Sequence, residues 1–242
     1  MRLATSFRSV VLLALAGCSR LAIAAGPIDA LEQARALIVV TTPDWNSTQA
    51  RLQTFIRVDG RWRPAAAGFA VALGRHGSAW GDGRSPAGVF AIGPAFGYAT
   101  RIDSAMPYQA MTATHYCMDV PASPLYNRIV DAAQVGQAAV AGSTEPMRLD
   151  LRTQGDGRYR EGFVIAHNPE GVAGRGSCIF AHLWRSPGQV TAGCTAMDPA
   201  DMQRLLAWLK PADHPLFVLL PRAEYARLQS QWQLPALDEA AP

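Results

Sequence analysis

Apolar positions in this chain fall mostly in short runs bounded by turn residues, and few of those runs keep a helical period. Leu37-Ile38-Val39-Val40-Thr41-Thr42 is a β-branched run that predicts a strand. Residues 52–58 and Arg61-Trp62-Arg63 are two further strand segments separated by Asp59-Gly60, a strong two-residue hairpin signal. Residues 67–73, 161–166, 177–183 and 216–220 read as additional strands. Residues 74–97 are glycine-rich and aperiodic, which predicts loop, turn and a short strand. Helical patterns lie near the ends, at residues 28–36 and 223–232, and most clearly at 198–210. There Asp198 can cap the helix, Pro199 suits its first position, and Asp201 sits near its positive end. Met202, Leu205, Leu206 and Leu209 then fall on one face. Residues 100–154 show no clear pattern. The reading is a mainly β fold with peripheral helices (α+β), in one domain.

The first 25 residues break this pattern. Arg2 and Arg8 precede a short apolar run at residues 10–16, and Ala22-Ile23-Ala24 has the small-x-small form of a cleavage site. That arrangement predicts a secretory signal peptide over 1–25 and a mature chain over 26–242, delivered to the periplasm. Leu15-Ala16-Gly17-Cys18 also fits a lipobox, in which Cys18 would become a lipid anchor; the Ala24 site favours a soluble product. No other apolar run is long enough to span a bilayer. Composition changes little: 49% of residues are hydrophobic and 17% charged, as in a folded protein. The formal charge of +3 belongs to the leader. Taking its three arginines from the 22 basic residues leaves 19, against 19 acids. A neutral mature chain offers no electrostatic footprint for nucleic acid.

With Cys18 in the leader, Cys117, Cys178 and Cys194 remain, an odd number for an exported protein. An unpaired thiol is a liability in an oxidising compartment unless it is used. Cys194 has the most suggestive setting, in Thr191-Ala192-Gly193-Cys194-Thr195-Ala196-Met197 ahead of the capped helix. Gly193 frees the backbone beside the sulfur, N–H groups in such a turn can meet an oxyanion, and a nearby helix N-terminus would favour thiolate. His182 lies twelve residues upstream at the end of an apolar strand, so a turn and return could bring imidazole to thiol. A buried cysteine and a surface histidine would fit the spacing as well. Cys117 and Cys178 could form a disulfide that staples the middle segment to the strand of His182, or remain two small apolar side chains.

Two separated segments resemble one family. Ser177-Cys178-Ile179-Phe180-Ala181-His182 with Thr191-Ala192-Gly193-Cys194-Thr195-Ala196-Met197 looks like the signature of the L,D-transpeptidase (YkuD-like) catalytic domain. Gly81-Asp82-Gly83-Arg84-Ser85-Pro86-Ala87-Gly88-Val89-Phe90 resembles that family's upstream DGKTPxGxF segment. The resemblance runs from about Leu37 to Leu220. It implies a single β-sandwich domain acting in cell-wall biogenesis, and in cell shape through it. Cys194 would be the nucleophile, His182 the base oriented by a backbone carbonyl, and N–H groups around Gly193 and Cys194 the oxyanion donors. No metal or organic cofactor is implied. The partners implied are peptidoglycan stem peptides, and nothing fixes an oligomeric state.

The sequence departs from the common motif. Thr191 stands for Ser, Ala192 for a second His, and Ala196 for the usual Arg. A lost guanidinium removes a bidentate carboxylate partner. The pattern resembles a divergent branch, in which cross-links of 1,3 or 3,3 type, carboxypeptidase action, hydrolysis of wall links and wall binding without catalysis all stay open. Candidate substrate contacts are Arg84, Asp119, Tyr126 and Asn127, with Arg185 as a cation and Thr191 in the motif. His167 is the rival base or a pocket residue. Trp80, Trp184 and Tyr98 could line a groove.

Overall fold

The computed structural model describes residues 27–79 and 81–238. The predicted leader, Cys18 and Trp80 lie outside them. In chain order the elements are α1 (Pro27–Gln33), β1 (Ala36–Thr42), β2 (Gln49–Val58), β3 (Arg61–Ala72), β4 (Ser78–Ala79), β5 (Ser85–Pro86), β6 (Gly88–Gly97), β7 (Tyr108–Ala110), β8 (His115–Cys117), β9 (Ile129–Asp131), α2 (Ala132–Val135), β10 (Glu145–Pro146), β11 (Glu161–Ala166), β12 (Phe180–Leu183), β13 (Thr195–Met197), α3 (Pro199–Trp208), β14 (Leu216–Pro221) and α4 (Arg222–Gln229).

Nine strands share one sheet in the order β11-β12-β13-β3-β2-β1-β14-β6-β7, and β11 pairs with β6 as well. That extra pairing returns the sheet on itself. Eight strands therefore close into a barrel-like sandwich, with β7 attached to β6, and no helix interrupts the ring. β1 is buried at every position. Its Ile38 and Val40 join Phe217 and Leu219 of β14 in a core that α3 covers with Met202, Leu205 and Leu206. Its Leu37 and Val39 face a second core, with Leu31 of α1 and Tyr225 and Leu228 of α4. A strand covered on both faces needs no polar alternation, hence the continuous apolar run in the sequence.

The hairpin forms as the sequence predicts, with Asp59 at φ 49° and Gly60 at φ 74°, the left-handed pair that a two-residue turn requires. Two expectations change. The two short segments after the turn are one twelve-residue strand, β3, paired with β2 along its length through two register shifts. On its other side β3 meets β13 only at Ala72, so its first half is an edge, and an edge tolerates Pro64. Part of the expected glycine-rich loop is the ten-residue strand β6. Its glycines are needed for close approach: a Cβ on Gly97 would lie 2.5 Å from the Arg160 carbonyl oxygen.

The segment without pattern carries a small separate sheet, β10-β8-β9. A Cys117–Cys178 disulfide ties it to the chain leading into β12. Of the two readings of these cysteines, the bridge is the one formed.

Candidate active site

β12 and β13 run side by side in parallel, with Ala181 opposite Thr195 and His182 opposite Ala196. Cys194 immediately precedes β13. The excursion from Leu183 to Cys194 thus returns the chain to the same sheet position, and thiol and imidazole line one cavity of about 600 Å³.

Cys194 is the free cysteine among the described residues and is 8% exposed. Its thiol donates to the Cys178 carbonyl (3.5 Å) and accepts from the Phe180 N–H (3.4 Å). Burial pushes the thiol up to about 12; the Phe180 N–H opposes this, the Glu145 charge adds to it, and the Arg158 charge opposes it. The expectation of a thiolate favoured by a helix N-terminus is therefore corrected. Residues 195–197 are strand rather than turn, so α3 starts beyond β13, and desolvation dominates at the sulfur.

His182 is 3% exposed. Its Nδ1 donates to the Leu183 carbonyl at 2.8 Å, which leaves Nε2 as the unprotonated nitrogen. The Tyr159 ring packs edge-on against the imidazole, with centroids 5.3 Å apart. Burial holds His182 down to about 4. Both partners thus rest neutral, sharing the cavity without a hydrogen bond between them.

The turn that carries the sulfur is held by two hydroxyls. Thr191 Oγ1 donates to the Cys194 carbonyl (2.7 Å) and accepts the Gly193 N–H (3.0 Å). Ser85 Oγ donates to the same carbonyl (3.1 Å) and accepts the Gly74 N–H (2.9 Å). The Ser85 bond explains why an Arg84-Ser85-Pro86 segment belongs with the distant Cys194 motif. Gly193 is buried at φ 151°, and a Cβ there would lie 3.0 Å from the Arg84 carbonyl oxygen. Its N–H, expected as an oxyanion donor, is taken up by Thr191.

Arg84, Asp119, Tyr126, His167 and Thr191 line the cavity. Asp119 also accepts from the Thr144 N–H at 2.9 Å and from the Thr144 hydroxyl. His167 packs against Phe90, and burial lowers it below the usual histidine range. Asn127 is placed otherwise. Its side chain donates to the Asn168 carbonyl (2.6 Å) and accepts the Cys178 N–H (2.8 Å), so it clamps backbone rather than facing the cavity. Trp184 and Arg185 are also displaced, because β12 ends at Leu183 and the chain beyond leaves for a separate cleft. There Arg185 pairs with Asp156. Tyr98 packs under Arg148 and donates its hydroxyl to the Asp156 carbonyl.

Sequence reasoning missed three residues that line the cavity: Glu145, Arg158 and Tyr159. Tyr159 donates its hydroxyl to Glu145 Oε1 at 2.7 Å. Burial raises Glu145 above the usual carboxylate range. Arg158 pairs with Asp156 at 3.0 Å. No motif or period marks these positions. Among the described residues, no group of three or more histidine, cysteine or acidic side chains is placed to hold a metal ion.

No curated protein and no solved structure matches the chain. The family model of the L,D-transpeptidase catalytic domain (YkuD) matches residues 44–218. That span takes in the strands from β2 to β13, the Ser85 brace and both His182 and Cys194, and the chain belongs to the YkuD L,D-transpeptidase catalytic-domain family.

Proposed function

We propose that this protein is a periplasmic cysteine L,D-transpeptidase that cross-links peptidoglycan stem peptides through an acyl-enzyme on Cys194. The observation that carries the reading is the shared cavity: the one free thiol among the described residues stands with a histidine whose Nε2 is kept unprotonated by the Leu183 carbonyl. A stem-peptide carbonyl enters above the sulfur. The thiol proton passes to His182 Nε2 as the S–C bond forms, and the Cys194 N–H receives the oxyanion. The C–N bond to the leaving D-amino acid breaks, and its nitrogen takes the proton from the imidazolium. An amine of a second stem then attacks the thioester, gives a proton back through His182 to the sulfur, and leaves a new amide.

A buried thiol at about 12 beside an imidazole at about 4 supports proton transfer during attack, not a standing ion pair. Export through a signal peptide over 1–25, with 26–242 as the mature domain, is supported by the Cys117–Cys178 disulfide, which suits an oxidising compartment. A lipid anchor at Cys18 is the alternative form of the same export.

Mass spectrometry of muropeptides tests the reading. Mature protein and Cys194→Ala are each incubated with purified wall rich in tetrapeptide stems. Dimers made only by the intact protein establish transpeptidation, and their fragmentation distinguishes 1,3 from 3,3 bonds. Monomers shortened by one residue mean that water is the acceptor. Identical products from both proteins refute the reading.

A further inference from the structure

Tyr159 reaches the site from the loop before β11 and is 4% exposed. Its ring meets three others edge-on: Phe96 at 5.8 Å, Phe180 at 5.5 Å and the imidazole of His182 at 5.3 Å between centroids. The residue before it fixes the same strand end. The Arg158 carbonyl accepts the Leu183 N–H at 3.0 Å, and the Leu183 carbonyl in turn accepts from His182 Nδ1. A phenylalanine, as at Phe96 and Phe180, would fill this space without a polar atom. Tyr159 instead carries a hydroxyl into the interior, where it donates to Glu145 Oε1 at 2.7 Å. The charges of Arg158, Asp119 and Asp156 also act on Glu145, and those of Arg158 and Asp156 act on His182. Arg158 and Asp156 are paired with each other. The contact that carries the position of Glu145 to the base runs through the tyrosine.

The bond to Leu183 sets which nitrogen of His182 is protonated, but one hydrogen bond leaves the ring free to tilt about it. The Tyr159 ring blocks that tilt on one side, and its own hydroxyl bond keeps it from giving way. Glu145 is a fixed acceptor for that bond: β10 holds it opposite Cys117, and Cys117 is bonded to Cys178. We infer that Tyr159 is a positioning residue for His182, aiming Nε2 toward the Cys194 sulfur, and that Glu145 holds it there from the disulfide-anchored sheet. The inference rests on the acyl-transfer reading and gives both residues a role that needs no contact with substrate. Its signature is a loss in the chemical step rather than in binding, since a misplacement of about 1 Å can cost about 100-fold in rate.

The test compares the mature protein with Tyr159→Leu, Tyr159→Phe, Glu145→Leu and Glu145→Gln. Cross-linking kinetics and imidazole nitrogen NMR are recorded on each, with His182→Gln identifying the His182 signals. Tyr159→Leu is expected to lose about 100-fold in kcat at an unchanged KM. Tyr159→Phe and Glu145→Leu should each lose about tenfold, the worth of one hydrogen bond. Glu145→Gln keeps an acceptor for the hydroxyl and should recover most of what Glu145→Leu loses. In wild type His182 should show one tautomer, protonated at Nδ1; in Tyr159→Leu its two nitrogen signals should move toward each other as the second tautomer gains population. Full kcat in Tyr159→Leu, a loss confined to KM, or unmoved nitrogen signals overturn the inference. Glu145→Gln as slow as Glu145→Leu overturns the part given to Glu145. If Tyr159→Leu does not fold, Tyr159→Phe and Glu145→Leu decide by the same two readings. If wild type forms no cross-links, the acyl-transfer reading fails and the spectra decide the positioning role separately: moved signals support it, unmoved signals overturn it.

Discussion

Reduction of the Cys117–Cys178 bridge should cost this fold a large share of its stability. The bridge spans 61 residues of sequence, including the small sheet beyond β8 and all of β11. Closing a loop of that length removes chain entropy from the unfolded state worth about 4 kcal/mol at room temperature. For a domain of this size each kcal/mol moves the melting temperature by about 2–4 °C, so a fall of about 8–16 °C is expected. The assay is thermal unfolding followed by circular dichroism, with and without a phosphine reductant. Alkylation and mass spectrometry confirm that two thiols have been released. Cys117→Ser/Cys178→Ser should melt at the temperature of the reduced protein. A shift below about 2 °C with the bridge demonstrably open would refute the reasoning. It would mean that the middle segment is ordered by its packing alone, through Met147, Leu149 and Tyr159 beneath the site.

Three further outcomes follow from the site. Because burial holds the Cys194 thiol up to about 12, its alkylation by iodoacetamide should rise about tenfold per unit between about pH 7 and about pH 10; a plateau near neutrality would show an ion pair instead. His182 is a base depressed from 6.5 to about 4 by the fold, so its contribution is complete above 6.5 and lost as pH falls to about 4. That loss is worth about 3 kcal/mol, and urea midpoints of wild type should drop more across the window than those of His182→Gln; parallel losses would refute it. Ser85→Ala removes a buried hydroxyl from between the Gly74 N–H and the Cys194 carbonyl, so it should cost about 1–3 kcal/mol in urea unfolding and lower turnover; unchanged stability would leave the brace without weight.

How much of this is legible without coordinates depends on where each element gets its stability. β1 and α3 are readable because their own residues carry the pattern: a β-branched run buried on both sides, and a capped helix with one apolar face. The Asp59-Gly60 hairpin is equally local. β6 is hidden because its glycines and Pro94 argue against a strand, while Val164 of β11 and the Arg160 carbonyl just before it demand the room that Gly93 and Gly97 leave. Residues 100–154 are hidden for a related reason. Three of their short strands, β8, β9 and β10, pair within a sheet that a distant cysteine anchors, and β7 is held only by the distant β6, so no window of sequence contains the cause. The site divides in the same way. His182 and Cys194 announce themselves by spacing and motif, whereas Glu145, Arg158 and Tyr159 reach the cavity from segments that read as ordinary loop.

That division bears on what the altered motif means. Ala196, standing where the family commonly carries arginine, is 1% exposed and lies in β13 opposite His182. A guanidinium there would have to displace the neighbouring strands. Arg158 brings a guanidinium to the same cavity from a different segment, and its own carbonyl accepts the Leu183 N–H, which fixes it to the end of the histidine strand. The opposite charge is fixed as firmly. Glu145 pairs in register with Cys117, Cys117 is bonded to Cys178, and the Cys178 carbonyl receives the Cys194 thiol. One covalent staple therefore links the Glu145 wall of the cavity to the Cys194 sulfur. On the acyl-transfer reading, a passive wall binder would have no need of a thiol, a base of fixed tautomer and charges of both signs around one space. Arg158 gives the cavity a guanidinium that position 196 lacks, and on the acyl-transfer reading the double serine variant should lower turnover while leaving both Glu145 and Arg158 in the chain.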